Sequence, residues 1–77
     1  MEYSTYAAMT EKQLVKAWAS AWNRHEESYL QGNTQGCVDA DWDMEKIDDI
    51  LYCKYDWSNE MLKSLSNMVY KGLIKVN

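Results

Sequence analysis

The sequence predicts a small all-α fold: a three-helix bundle of one long helix and a shorter helical hairpin. Three observations carry it. Apolar residues recur at three- and four-residue steps in three separate stretches. Ser, Thr or Asp stands at the start of each stretch, where a helix N-cap belongs. The chain has no proline, and its one clear break is the polar segment Gln31–Cys37, which holds two of the three glycines.

The first helix is predicted to start at Thr10. Gln13 stands three residues on, as the reciprocal partner of a capping box, and Met9 and Leu14 occupy the staple positions across that cap. Leu14, Trp18, Ala21, Trp22, His25 and Tyr29 then fall on one face, with Lys12, Lys16, Ser20, Asn23 and Glu27 opposite. Gly32 is its expected stop. Before Thr10, Tyr3, Tyr6 and Ala7 suit a short helical turn or a docked arm.

The second helix is expected from about Asp43 to Cys53, capped by Asp41 or Asp43. Its inner face is Met44, Ile47, Ile50 and Leu51. Glu45, Asp48, Asp49 and Tyr52 stand opposite, at i, i+3, i+4 and i+7, so they form one stripe. The third helix is predicted from Ser58 to about Lys71, with Ser58 as cap and Trp57 with Leu62 as a second staple. Met61, Leu62, Leu65, Met68 and Val69 are its apolar face, and Gly72 ends it. Leu73–Val76 alternates and suits a short strand or a docked tail.

Seventy-seven residues make one domain, 1–77. A chain this short buries only about 60% of its extended surface. Four Trp and six Tyr help to fill the core, but ten bulky aromatics are too many to hide, so at least two are expected at the surface. No apolar run approaches the ~20 residues of a membrane span. The first residues lack the basic and apolar regions of a signal peptide, so an intracellular, cytoplasmic location is expected. Cys37 and Cys53 form no CxxC pair and read as free thiols, and one His with two separated Cys does not make a zinc site.

Charge is the functional signal. Residues 31–57 carry seven acids against two bases, whereas the flanking segments are nearly balanced or slightly basic. The centre of this excess is Asp39–Asp49, where six of eleven residues are acidic and only Lys46 opposes them. Part of that run serves as caps and as a solvated face. Yet Glu45 repels both Asp48 and Asp49 at helical spacing, a cost of a few tenths of a kcal/mol per pair that no fold requires. Trp42, Tyr52, Tyr55 and Trp57 lie nearby. Acids beside aromatics suit a basic, partly apolar protein surface: the charges steer encounter and the rings supply affinity.

Other chemistries fit less well. Asp39, Asp41 and Asp43 have the spacing that opens an EF-hand loop, but Met44 replaces its glycine and Ile50 its bidentate glutamate. His25 is the sole histidine. Glu26 points elsewhere on the helix, and no nucleophile is placed beside it. Two helices, a short turn and an apolar tail also have the order of a helix-turn-helix, but the third helix offers only Lys63 and Lys71 for phosphates.

The expectation is therefore a non-catalytic protein-binding module without cofactor or metal. Asp39, Asp41, Trp42, Glu45, Asp48, Asp49 and Tyr52 are its partner-binding residues. The partner is a basic protein, one that itself binds nucleic acid, and the carboxylates stand in for phosphates. Phages and mobile elements use small acidic inhibitors of this kind against host defences, in which case the host cytoplasm is the site of action. The alternative is a dimeric helix-turn-helix-like transcriptional regulator or accessory subunit. Helix 1, through Trp18 and Trp22, or the C-terminal tail would supply its dimer seam. Direct DNA binding is not expected of either surface charge or composition.

Overall fold

The computed structural model describes residues 2–72. They form four helices: α1 (Tyr3–Ala7), α2 (Glu11–Leu30), α3 (Thr34–Tyr55) and α4 (Asn59–Tyr70). The fold is a small all-α bundle. The Leu73–Val76 strand or tail lies outside the described residues.

The first long helix starts as its sequence dictates. The Thr10 hydroxyl accepts from the Gln13 backbone N–H, and the Gln13 side chain accepts from the Thr10 backbone N–H, completing the box. Ser58 likewise accepts from the Met61 N–H to open α4. The segment before Thr10 is helical in α1, whose Tyr6 is buried. This short helix makes the bundle four-membered rather than three-membered.

The larger departure concerns α3. It begins at Thr34, nine residues before the expected start, and runs for 22 residues. Asn33 caps it by accepting from the Gly36 N–H, so Asp41 and Asp43 are mid-helix residues rather than caps. The Gln31–Cys37 loop shrinks to a tight turn at Gln31, Gly32 and Asn33, with Gly32 at φ 70. The first two turns of α3 were hidden because their inward residues are small. Gly36, Cys37 and Ala40 face α2 where strong apolar periodicity would need Leu or Ile. A Cβ built on Gly36 would meet Ser28 Oγ and Cβ of α2, so the helices approach too closely there for any side chain.

Thus α2 and α3 are the central antiparallel hairpin, and α4 lies across both while α1 packs on α3. The core joins Leu14, Trp18 and Ala21 of α2 to Met44, Ile47, Ile50 and Leu51 of α3, with Tyr6, Trp57 and Leu65 from the flanks. Both staple pairs take part: Met9 and Leu62 pack against this cluster beside Leu14 and Trp57. Trp57 also donates its indole N–H to Glu11, tying the α3–α4 turn to the start of α2. That turn is held by Asp56 in the left-handed region, φ 58, which Asp tolerates better than most residues.

Gly36 yields a direct prediction. Alanine is the better helix former by about 0.8–1 kcal/mol. Overpacking against Ser28 costs about 1–3 kcal/mol and outweighs that gain. Gly36→Ala should therefore lower the urea midpoint, and a midpoint equal to or above that of the native chain would refute the close approach.

Candidate functional site: the outer face of helix α3

Packing of α3 onto α2 decides which residues meet solvent. Ala40, Asp43, Met44, Ile47, Ile50 and Leu51 are buried, Gly36, Cys37, Lys46, Asp48 and Tyr55 are partly so, and the other residues face outward. All seven expected partner-binding residues stand on this helix. Asp39, Asp41, Trp42, Glu45, Asp49 and Tyr52 are exposed or partly so, and Asp48 is half-buried at the rim. Val38, Trp42, Glu45, Asp49 and Tyr52 follow one another at steps of three and four, forming a line about 21 Å long. Its ends are apolar: Val38 and Trp42 at one end are 40% and 59% exposed, and Tyr52 at the other 54%. With Tyr3, Tyr29 and Tyr70, five aromatics among the described residues are exposed, so the expected surplus does reach the surface.

The carboxylates of this face are not equivalent. Asp49 is held by the N-terminal arm: the Tyr3 hydroxyl donates to its Oδ2 at 2.8 Å, and the Cys53 thiol lies 3.8 Å from Oδ1. The hydrogen bond to Asp49 raises the Tyr3 pKa, because a phenolate there would face a carboxylate. Asp39 accepts from Gln35 at 3.0 Å. Asp41 turns towards α2, where its Oδ1 stands 3.6 Å from His25 Nε2.

Asp48 was expected to face water beside Glu45, and the structure corrects this. Burial pushes its pKa up to about 6. The Trp18 indole N–H lies beside it and pulls the other way, while the Glu45 charge adds to the rise. Neither the Trp18 nitrogen nor Asp48 Oδ1 completes a hydrogen bond, although both atoms are buried.

Asp43 belongs to the fold rather than to the face. It is 5% exposed and receives Arg24 at 3.0 Å, beside the Tyr6 hydroxyl. Burial alone would raise its pKa, but the positive charge around it, Arg24 included, more than offsets burial and holds it low. This pairing explains an acid on the inner face, which the sequence pattern could not.

The alternative chemistries can be checked against the same geometry. Asp39, Asp41 and Asp43 lie on continuous helix, about 200° apart at each step, and so fan out instead of converging as calcium ligands. Among the described residues no group of three His, Cys, Asp or Glu side chains is placed to hold a metal ion. His25 stacks on Trp22, which stacks on Trp18. Glu26, expected to point away, brings Oε1 to 3.8 Å from His25 Nδ1. Neither that distance nor the one to Asp41 is a hydrogen bond. Cys37 and Cys53 are free thiols. No helix among the described residues is long and apolar enough to cross a membrane.

No protein-family profile, curated protein or solved structure matches this chain.

The raised pKa of Asp48 has a definite consequence for stability. Between the ordinary carboxylate value of 3.8 and about 6, the folded chain holds this proton more tightly than the unfolded chain. Stability from this group is therefore lost as pH rises through that window. Contact with solvent reduces the cost at pH 7 to about 1 kcal/mol. Asp48→Asn should be more stable than the native chain by about that amount at pH 7 and equal to it near pH 3.5. Urea titrations at both values check this, and a destabilised variant at pH 7 would show that the carboxylate is well paired.

Proposed function

We propose that this chain is a non-catalytic protein-binding module whose α3 outer face docks on a basic surface of a nucleic-acid-binding protein and blocks it. One observation carries the reading. Six of the seven acidic and aromatic residues singled out by charge lie on the solvent side of one continuous helix, with the seventh at its rim.

The chemistry follows from that face. Asp41, Glu45 and Asp49 recur every turn, about 6 Å apart along the axis, so α3 presents a rod of evenly spaced negative charge. A nucleic-acid strand presents one charge about every 3.4 Å, so the rod matches roughly alternate phosphates. Long-range attraction brings a basic surface to the rod. Trp42 and Tyr52, amphipathic and solvent-exposed, then fill apolar hollows between the partner's basic residues, where truncation of such rings commonly costs binding most. Asp48 keeps a charge whose burial weakens the fold, which is the pattern expected where binding rather than stability selects the residue. Intracellular action follows from a nucleic-acid-binding target, and a phage or mobile-element inhibitor of host defence is the biological setting that suits such a module.

A second reading rests on the three-residue turn between α3 and α4, the length found in helix-turn-helix units. It makes the chain a dimeric regulator or accessory subunit. Its mark is a size that grows with concentration in sedimentation and shrinks on substitution of Trp22.

An affinity capture from lysate compares the native chain with Glu45→Gln/Asp48→Asn/Asp49→Asn. A nucleic-acid-binding protein retained by the native chain alone, and released as salt rises from 50 to about 500 mM, is the expected outcome. Capture that survives both neutralisation and salt would move the site off this face.

A further inference from the structure

Beside the rod, α3 and α4 border a shallow, open groove of about 320 Å³. Glu45, Asp48, Asp49 and Tyr52 line one wall, and Asn59 and Leu62 the other, with no base among them. Behind its acidic wall one contact is incomplete. Asp48 Oδ1 is buried without a hydrogen bond. Trp18, only 6% exposed, directs its equally unpartnered indole N–H at the same carboxylate. Buried polar atoms are almost always paired, and an unpaired carboxylate oxygen is a standing cost. Two cations of the chain are engaged elsewhere: Arg24 on Asp43, and Lys54 on the Ala7 carbonyl.

We propose that this groove receives one arginine side chain of the docked partner, its guanidinium among Glu45, Asp48 and Asp49 and its stem along Tyr52 and Leu62. The proposal rests on the reading of α3 as a docking face and names the contact that anchors it. Arginine fits better than lysine for three reasons. Its planar fork offers five donors to several carboxylates at once, its charge is more weakly hydrated, and its plane stacks on an aromatic ring such as Tyr52. A guanidinium also keeps Asp48 charged, which gives the Trp18 N–H a full acceptor.

The test is a titration of the ¹⁵N-labelled native chain with hexa-arginine and hexa-lysine peptides at low salt, followed by NMR. The Trp18 indole N–H and the backbone amides of Asn59 and Leu62 should move with hexa-arginine, which should bind about threefold or more tighter than hexa-lysine. Asn59→Lys places a cation at the groove mouth on an exposed site. It should weaken hexa-arginine binding about fivefold or more while circular dichroism stays native. Shifts confined to Asp39 and Trp42, with Trp18 and Leu62 unmoved, would overturn the groove and leave the docking face standing. Equal affinity for the two peptides would overturn arginine as the occupant. Failure of both peptides to bind would overturn the groove and the docking face together.

Discussion

The seam between α2 and α3 fixes the rotation of α3 about its own axis, and everything outward on that helix follows from it. Met44, Ile47, Ile50 and Leu51 must meet Leu14, Trp18 and Ala21, since they are the only large apolar set that α3 carries at helical spacing. Once they do, Trp42, Glu45, Asp49 and Tyr52 have no direction left but solvent. The small residues at the other end of the seam let the helices close on each other, and Arg24 with Asp43 completes it in the middle. A buried acid paired with a half-exposed arginine resists removal of one partner more than it adds net stability, so its effect is to penalise other registers. That is a register lock for the hairpin, and hence for the face.

Much of this fold is legible in the chain. The capping box at Thr10, the cap at Ser58, the staples and the inner face of α3 from Met44 onward are local patterns, and local patterns survive folding. What was not legible depended on contacts distant in sequence. The first two turns of α3 announce themselves only through Gly36, Cys37 and Ala40, residues that signal a loop until Ser28 of α2 is set against them. Small side chains at a tight helix crossing leave no apolar stripe to read. The polar Gln31–Cys37 stretch thus looked longer as a loop than the three residues it needs.

The candidate site divides the same way. Helical spacing alone groups Glu45, Asp49 and Tyr52, whereas Asp39, Asp41 and Trp42 join their helix only because α3 starts nine residues before its expected cap. The states of its carboxylates were not legible. Tyr3 reaches Asp49 across 46 positions, and Asp48 meets Trp18 across 30, so neither pairing leaves a mark in a sequence window. Asp43 is the sharpest case. It sits in the acidic run with the others, yet it is a core residue with a dedicated cation. The ring stack of Trp18, Trp22 and His25 likewise turned a lone histidine into part of an aromatic wall.

One helix thus carries two messages, offset around its axis. The inward message is constrained by volume and register, while the outward one is held by little beyond Asp48 and the Tyr3–Asp49 contact. Substitutions at exposed positions away from such features usually change stability by no more than about 0.5 kcal/mol. Val38, Asp41, Trp42, Glu45 and Tyr52 can therefore be rewritten in nearly any order without passing through an unfolded intermediate genotype. A lineage pursuing a changing target could retune this surface one codon at a time, on a scaffold that hardly registers the change.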